Sequence, residues 1–306
     1  GTTRCIVVIT QEVKMLTTSR FTDCRIVPEA AHPEGLYRCL EGIAAELRAE
    51  NESLVPLVLG CDDRHALMFA AGKDRLEAVG IVVPCNDFAM LDRISQKRGF
   101  YELCEKIGVP YPKTGYFNCD HTAPESLPVD EFPYPCIAKP SDTTKFQNAN
   151  VAHQRKAYEI ESPEELAQVW ADVRASDYDG EFLIQDYIPG GDEALRILNT
   201  YSDRAGNLRV VSGGITALQD HSPSALGNPL CIIGDKEPRV IEYARKFLKE
   251  VGYENYGNFD IKYDSRTDDY VFFEINIRAG RSTYFTSLAG VNFVTLVVDQ
   301  YILGRE

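Results

Sequence analysis

The sequence feature that most restricts the fold is a pair of alternating segments near the C-terminal end of the chain. Residues 256–263 and 270–277 each alternate apolar and polar side chains, and the turn-forming run DSRTDD separates them. Successive side chains in a strand point to opposite faces, so Glu274, Asn276 and Arg278 share one face. The opposite face carries Phe273, Ile275 and Ile277. The two segments therefore predict a β-hairpin with one polar and one apolar face.

The polar face of this hairpin carries the residues from which chemistry is expected. Asp260 lies on the first strand, so strand pairing would bring it beside Glu274 and Asn276. Two carboxylates and a carboxamide are hard oxygen ligands that suit Mg²⁺ bridging phosphate groups. We therefore predict that Asp260, Glu274 and Asn276 bind metal, with Arg278 and Arg281 as cations beside them. The alternative is an ordinary amphipathic hairpin whose polar face is solvated.

Composition narrows the class of protein. The chain has 306 residues, with 32 Lys and Arg against 46 Asp and Glu, a formal charge of −14. This length predicts two or three domains. The acidic balance argues against nucleic acid or an anionic membrane as the main partner. Nine cysteines, an odd number without a CxxC pair, indicate reduced thiols. With no secretory signal or apolar run of about 18 residues, we expect a cytoplasmic protein.

The order of predicted elements indicates an α/β region followed by an α+β region. Residues 5–9, 55–59 and 81–83 are typical of short buried strands, with an amphipathic helix between the first two. We expect an open α/β layer over residues 1–93. A helix is predicted over residues 95–107, capped by Ser95 and ended by Gly108. Residues 110–135 are predicted to be a connector. Further helices are expected after Ser162, over residues 238–251 and near 292–303, among strands at 181–188, 194–202 and 207–216.

Several common site motifs are absent from the sequence. There is no GxxxxGK[ST], no GxGxxG, no HExxH and no GxSxG. The five histidines lack the spacing of zinc ligands. These absences remove the commonest nucleotide-binding, zinc and hydrolase interpretations.

Three further features carry candidate site residues, and each has an ordinary alternative. Lys139 ends an apolar strand, where an ammonium could reach a phosphate. The run QDYIPGGD, residues 185–192, opens a strand into a glycine-rich turn that could offer backbone groups to an adenine and Asp192 to a ribose. Lys97 lies near the start of a helix. Taken singly, Lys139 is more often a solvated strand end and Lys97 a surface lysine, and the run QDYIPGGD is equally well a hairpin turn.

Together, these features resemble the ATP-grasp superfamily in order and spacing, over about residues 81–303. The strings IPGGDEALRILNTY, DHSPSALGN and FFEINIRAGRS are similar to those of D-aspartate ligases and related carboxylate–amine ligases. The resemblance implies an ATP-grasp domain over residues 94–306, with a lid at about 133–188, after a Rossmann-like layer over 1–93. It also implies ATP and Mg²⁺ as cofactors. The residues it implies for the nucleotide are Lys97, Lys139, Gln185, Asp186, Tyr187, Ile188 and Asp192.

Two departures from the family pattern are visible. Many members have a glycine-rich flap after the second lysine, whereas no glycine occurs between Gly115 and Gly180. The flap candidate is SDTTKFQNAN, where Ser141, Thr143, Thr144 and Lys145 could contact phosphates. Relatives also begin with one more strand, so we expect the Rossmann-like layer to be truncated. We also expect the chain to stop early at Glu306.

The implied reaction joins an amino acid carboxylate to an amine through an acyl phosphate. The closest resemblance suggests D-aspartate and a peptidoglycan precursor. Arg278 is the candidate for steadying the carboxylate or the transferring phosphate, shared with Arg281 and Ser282. Arg196 and His221 are weaker candidates. The alternatives are a ligase for another amino acid or dipeptide, a nucleotide-binding protein without turnover, and a scaffold without a nucleotide site.

Overall fold

A computed structural model describes residues 4–119, 127–222 and 227–305 of the chain, without the side chains of Thr143 and Thr144. These residues form two compact units. The first contains residues 1–91 and 292–306, and the second contains residues 92–291. Among the described residues, no helix has both the length and the apolar character needed to cross a membrane.

The described residues form eleven helices and eleven strands. The helices are α1 Lys14–Thr17, α2 Pro33–Glu50, α3 Asp63–Ala71, α4 Lys73–Ala78, α5 Phe88–Ser95, α6 Lys97–Ile107, α7 Thr143–Asn148, α8 Pro163–Arg174, α9 Pro238–Val251, α10 Thr283–Leu288 and α11 Phe293–Tyr301. The strands are β1 Ile6–Ile9, β2 Asp23–Ile26, β3 Thr114–Asn118, β4 Cys136–Pro140, β5 Tyr158–Ile160, β6 Glu181–Asp186, β7 Leu195–Ser202, β8 Leu208–Gln219, β9 Pro229–Asp235, β10 Asn255–Asp264 and β11 Asp269–Asn276.

The first unit is helical with a small parallel sheet. Strands β1 and β2 pair in parallel. The apolar stripe of α2 packs with residues of α3 and α4 in a core that includes Leu36, Leu40, Phe69 and Leu76. The strands predicted at 55–59 and 81–83 are reduced to one parallel bridge between Leu57 and Val82. Prolines beside this bridge, at 56 and 84, lack the N–H groups that a longer ladder needs. The Rossmann-like layer predicted for residues 1–93 is therefore not confirmed.

The second unit contains a four-stranded antiparallel sheet in the order β3-β6-β4-β5. Helix α8 contributes Leu166, Trp170 and Val173 to the core against this sheet. The hydroxyl of Ser162 accepts a hydrogen bond from the backbone N–H of Glu165 and so caps the helix that was predicted after Ser162. The connector predicted for 110–135 was wrong in part, because β3 pairs with β6 within it.

A five-stranded antiparallel sheet in the order β11-β10-β7-β8-β9 forms the rest of the second unit. Helices α6 and α9 each end at a glycine with positive φ, Gly108 at 68° and Gly252 at 62°. The predicted Ser95 cap was wrong. Its hydroxyl donates to the Asp92 carbonyl at the end of α5, and α6 begins after Gln96.

One face of this sheet is covered by an aromatic column. The Phe247 ring of α9 lies 4.8 Å from that of Phe100 and 5.5 Å from that of Phe259, and Phe259 lies 5.5 Å from Phe272. All four rings are fully buried. The pairing of β10 with β11 shifts register after Asp260. Phe272 consequently takes the buried position that the alternation predicted for Phe273, which is only partly buried.

We expect the Phe247→Ala variant to lower the free energy of unfolding by about 3–5 kcal/mol, because it opens a cavity in this column. Urea denaturation followed by circular dichroism measures the change. The Tyr284→Ala variant is a matched control, because Tyr284 is 70% exposed, and we expect it to change stability by less than about 0.5 kcal/mol. Equal losses in the two variants would contradict the assigned core.

Candidate active site

The polar face of the β10–β11 hairpin brings together the three residues predicted to bind metal. Asp260 and Glu274 are directly opposite each other in the strand register, so their side chains lie on the same face. The Asn276 amide nitrogen donates to an Asp260 carboxylate oxygen at 3.1 Å. The two acids and the amide therefore lie together in a single polar cluster.

Electrostatics distinguishes the two acids of this cluster. Lys97, at the first position of α6, forms an ion pair with Glu274, and its charge lowers the pKa of that carboxyl. Burial raises the pKa of Asp260 to about 7, and the neighbouring Glu274 charge adds to the effect. A carboxylate pair of this kind is stabilised by a further cation.

This donor set fits Mg²⁺ that is also held by phosphate oxygens. Proteins usually bind Mg²⁺ through one or two carboxylates and leave the remaining positions to water or substrate phosphates. Within the described part of the chain, no group of three or more His, Cys, Asp or Glu could hold a metal by itself. Asp260, Glu274 and Asn276 would therefore form an incomplete site that a phosphate ligand completes.

Lys139 lies at the end of β4, where a buried amide orients it. Its Nζ donates to Gln185 Oε1 at 2.8 Å. The Gln185 nitrogen donates to the Tyr101 hydroxyl at 2.9 Å and to the Thr114 hydroxyl at 3.0 Å. Burial, followed by the positive charge of Lys97, lowers the pKa of Lys139 to about 7. The side chain of Gln185, which was predicted to bind nucleotide, thus forms hydrogen bonds to three protein groups, and one of these orients Lys139.

The remaining residues of the predicted nucleotide linker differ in their surroundings. The Asp186 carboxylate pairs with the Arg266 guanidinium through contacts of 2.9 and 3.4 Å. Tyr187 is half-buried and Ile188 is 4% exposed. No backbone hydrogen bond joins Tyr187 or Ile188 to another described residue. Backbone groups without a partner in the described chain, such as those of the buried Ile188, suit a ligand with its own donors and acceptors.

Asp192 already has protein partners. Its carboxylate accepts from the backbone N–H of Gln219 at 2.8 Å and lies 3.2 Å from His221 Nε2. The hydrogen bond from Gln219 lowers the pKa of this carboxyl. His221 therefore lies beside the predicted ribose contact.

The three residues predicted to be catalytic have different surroundings. Arg278 Nη2 donates to Asn276 Oδ1 at 3.0 Å, so it adjoins the cluster of Asp260, Glu274 and Asn276. Arg281 is exposed, and its charge acts on Asp220. Ser282 is 7% exposed, and its hydroxyl donates to Asn199 Oδ1 at 3.0 Å. The Ser282 hydroxyl is thus part of a buried network.

Two of the predicted flap residues have protein partners. The Ser141 hydroxyl donates to the Glu181 carbonyl at 3.1 Å. Lys145 Nζ lies 2.7 Å from Asp179, and the Asp142 side chain caps α7. The side chains of Thr143 and Thr144 lie outside the described residues.

Arg196 was predicted to be able to face the site, and this was wrong. In the register of β7 with β10, Arg196 is opposite Ile261, whereas Ile197 is opposite Asp260. Arg196 therefore lies on the other face of the sheet, where its guanidinium carbon is 5.8 Å from the centre of the Tyr270 ring. A shift of one residue along the strand would move Arg196 to the opposite face of the sheet.

Lys262 was missed by the sequence analysis. It follows Asp260 by two residues on β10, on the same face, and its Nζ lies 5.6 Å from the centre of the Tyr187 ring. Burial lowers its pKa. The alternation in FDIKYD was the available signal, since it places Asp260 and Lys262 on one face. The sequence analysis also did not identify Asn199 and Asn258 as residues beside the site.

Comparison with known proteins identifies relatives of the chain. Residues 96–299 match the family of the carbamoyl-phosphate synthase L chain, ATP binding domain. A D-aspartate ligase from Enterococcus faecium (strain Aus0004) is 30% identical over 262 residues, which are 85% of this chain and 62% of that protein. The chain thus spans about three fifths of the length of this relative.

Solved structures with the same fold are more distant in sequence. An L-amino acid ligase from Bacillus licheniformis is 14% identical with a TM-score of 0.64, over 98% of this chain and 74% of that one. A biotin carboxylase from Campylobacter jejuni is 18% identical with a TM-score of 0.66, over 97% and 65%. At these identities the likeness concerns the fold.

The lowered pKa of Lys139 predicts a pH-dependent difference in stability. Because its folded-state pKa lies near 7, the unfolded chain binds more protons above that pH, and wild-type stability rises toward pH 9.5. A Lys139→Met variant lacks this contribution. We expect the wild type to gain about 3 kcal/mol over the variant between pH 7 and pH 9.5.

Urea denaturation at the two pH values measures this gain. The lost hydrogen bond to Gln185 affects both pH values equally, so the difference isolates the ammonium. The Lys156→Met variant is the control, because Lys156 is exposed, and we expect it to follow the wild type. A constant difference between wild type and Lys139→Met would contradict the lowered pKa of Lys139.

Proposed function

The chain belongs to the ATP-grasp family, and from this membership we propose that it is an ATP- and Mg²⁺-dependent ligase that joins a carboxylate to an amine. The observation that carries the proposal is the cross-strand pair of Asp260 and Glu274, with Asn276 beside it. Lys97 and Lys139 lie within electrostatic range of the same cluster. Acids for a metal and ammonium groups for phosphates are the components that a triphosphate site requires.

The proposed reaction has two steps. A substrate carboxylate oxygen attacks the γ-phosphorus of ATP, and the bond from that phosphorus to the β-phosphate oxygen breaks. ADP departs, and the substrate becomes an acyl phosphate. An amine then attacks the acyl carbon and releases phosphate and a proton. Mg²⁺, when bound, would neutralise and align phosphate oxygens.

The chain's own residues supply positioning and charge. Lys139, held by Gln185, directs an ammonium toward the phosphates, and Lys97 adds a second one. Arg278 adjoins Asn276, where a guanidinium can hold the attacking carboxylate or the transferring phosphoryl group through two parallel hydrogen bonds. The backbone of Tyr187 and Ile188 receives the adenine, and Asp192 the ribose.

For the acid we propose an amino acid, with D-aspartate as the first candidate. Support comes from the relative that is a D-aspartate ligase and from the sequence strings shared with such enzymes. The amine would belong to a peptidoglycan precursor, and the reaction would take place in the cytoplasm. Because the chain spans only part of that relative, the acid and the amine each need a direct test.

A hydroxylamine trap tests the reaction without knowledge of the amine. The protein is incubated with ATP, Mg²⁺, hydroxylamine and one amino acid from a panel of D- and L-isomers, and hydroxamate is measured. We expect hydroxamate with D-aspartate. A signal with another acid alone would keep the ligase and exclude D-aspartate. Nucleotide binding without hydroxamate from any acid would contradict the ligase proposal.

The role of Arg278 predicts a large effect from a small change. Arg278→Lys keeps the charge but loses the planar fork. We expect turnover in the hydroxamate assay to fall by about 100-fold or more, a loss comparable to that of one transition-state donor. Affinity for ADP should stay within about threefold. The Arg245→Lys variant, at an exposed ion pair on α9, is the control and should keep full turnover. Near-normal turnover of Arg278→Lys would overturn this role.

A further inference from the structure

A row of three asparagines crosses the five-stranded sheet beside the acid pair. Asn199 on β7 is directly opposite Asn258 on β10, and Asn258 is directly opposite Asn276 on β11. Asn199 is 1% exposed and Asn258 is 6% exposed. Together with Ser282, these residues form a hydrogen-bonded chain that we call the amide relay (Asn199, Asn258, Ser282 and Asn276).

The relay has a fixed direction, because a backbone carbonyl anchors one end. Asn199 Nδ2 donates to the Ser282 carbonyl at 3.1 Å, and a carbonyl can only accept. Asn199 Oδ1 must therefore face the other way. There it accepts from Asn258 Nδ2 at 3.1 Å and from the Ser282 hydroxyl at 3.0 Å.

The same argument fixes the orientation of the Asn258 amide and then that of Asn276. With its nitrogen committed to Asn199, Asn258 presents Oδ1 to Asn276 and accepts from Asn276 Nδ2 at 3.0 Å. Asn276 Oδ1 is then turned away from Asn258. It accepts from Arg278 at 3.0 Å, and arginine can only donate. Each amide orientation thus follows from the Ser282 carbonyl at one end and from Arg278 at the other.

We infer that Asn199 is a positioning residue that, through Asn258 and together with Arg278, sets which end of the Asn276 amide is offered to the cation. The two ends of an amide have nearly the same shape, so only hydrogen bonds select between them. An Oδ1 atom can ligate Mg²⁺, whereas an amide N–H group would repel it.

Asn258 matters because Asp260 is an unsuitable acceptor for this purpose. Asp260 also accepts from Asn276 Nδ2, but its carboxylate is itself a proposed metal ligand. Asn258 Oδ1 offers the Asn276 nitrogen an acceptor that does not compete with the cation. Outer hydrogen bonds of this kind orient metal ligands, and their loss typically weakens metal binding by about 10–100-fold. The inference rests on the proposed metal site and adds the residue that orients it.

The test measures metal binding rather than turnover. Mn²⁺ replaces Mg²⁺, and free Mn²⁺ is counted by electron paramagnetic resonance in the presence of saturating ADP. The Asn199→Leu variant removes the anchor of the relay, and we expect its Mn²⁺ dissociation constant to rise by about 10–100-fold. Its affinity for ADP in EDTA should stay within about threefold, whereas general damage to the sheet would weaken both.

A neighbouring residue offers a matched control. Thr200 on β7 is also fully buried, and its hydroxyl donates to the Gly257 carbonyl of β10 at 2.8 Å. It lies on the opposite face from Asn199. We expect Thr200→Val to lose stability but to keep the wild-type Mn²⁺ affinity within about twofold.

A second variant keeps the inference testable if Asn199→Leu does not fold. Asn199→Asp has the same shape and keeps an acceptor for Asn258, but it places an oxygen against the Ser282 carbonyl. We expect an intermediate loss of Mn²⁺ affinity, about 3–10-fold. Wild-type Mn²⁺ affinity in either folded variant would overturn the inference. Absence of Mn²⁺ and ADP binding in the wild type would instead contradict the proposed function.

Discussion

The structure of the candidate site depends on the placement of two carboxylates, Asp260 and Glu274, side by side on one face of a β-hairpin. Two acids this close do not both ionise readily unless positive charge lies near them. Lys97 supplies a positive charge to Glu274, whereas burial, with the neighbouring Glu274 charge, raises the pKa of Asp260. The acid pair therefore favours a cation, and the surrounding residues can be understood as the means of holding one.

The other face of the same sheet makes this arrangement possible. Phe259 precedes Asp260 and is buried in the aromatic column with Phe247 and Phe272. Burial of these rings fixes the register of β10, and the register fixes which face receives Asp260, Asn258 and Lys262. The free energy gained by burying the apolar face thus stabilises the strand arrangement. That arrangement brings charged residues together on the polar face, which is unfavourable by itself.

The site could be predicted where it depends on local alternation, and could not where it depends on distant partners. Asp260, Glu274 and Asn276 lie together as the hairpin pattern indicates. Ser282 was predicted to share in catalysis, yet its hydroxyl bonds to Asn199, 83 residues away along the chain. No local pattern in the sequence reveals such a contact. Arg196 illustrates a third case. The alternation along a strand shows which residues share a face, but it does not show which of the two faces carries the site.

The fold shows the same division. Helix ends at Gly108 and Gly252 follow from local chemistry and were predicted. The first 93 residues depend more on tertiary packing. There, short apolar runs beside prolines predicted strands that the structure reduces to the Leu57–Val82 bridge. The flap candidate, residues 141–150, contains a capped helix, α7. The sequence analysis noted that this segment lacks glycine but did not predict a helix there. The proposed domain boundaries and the roles of the site residues remain predictions.

Calorimetric titration with a non-hydrolysable ATP analogue, with and without Mg²⁺, tests the central claim most directly when wild type and Asp260→Asn are compared. If the acid pair holds the cation that accompanies the phosphates, Mg²⁺ will strengthen nucleotide binding to the wild type by at least about tenfold. The Asp260→Asn variant will lose most of that gain while its metal-free affinity is preserved. Equal strengthening by Mg²⁺ in the two proteins would contradict the account.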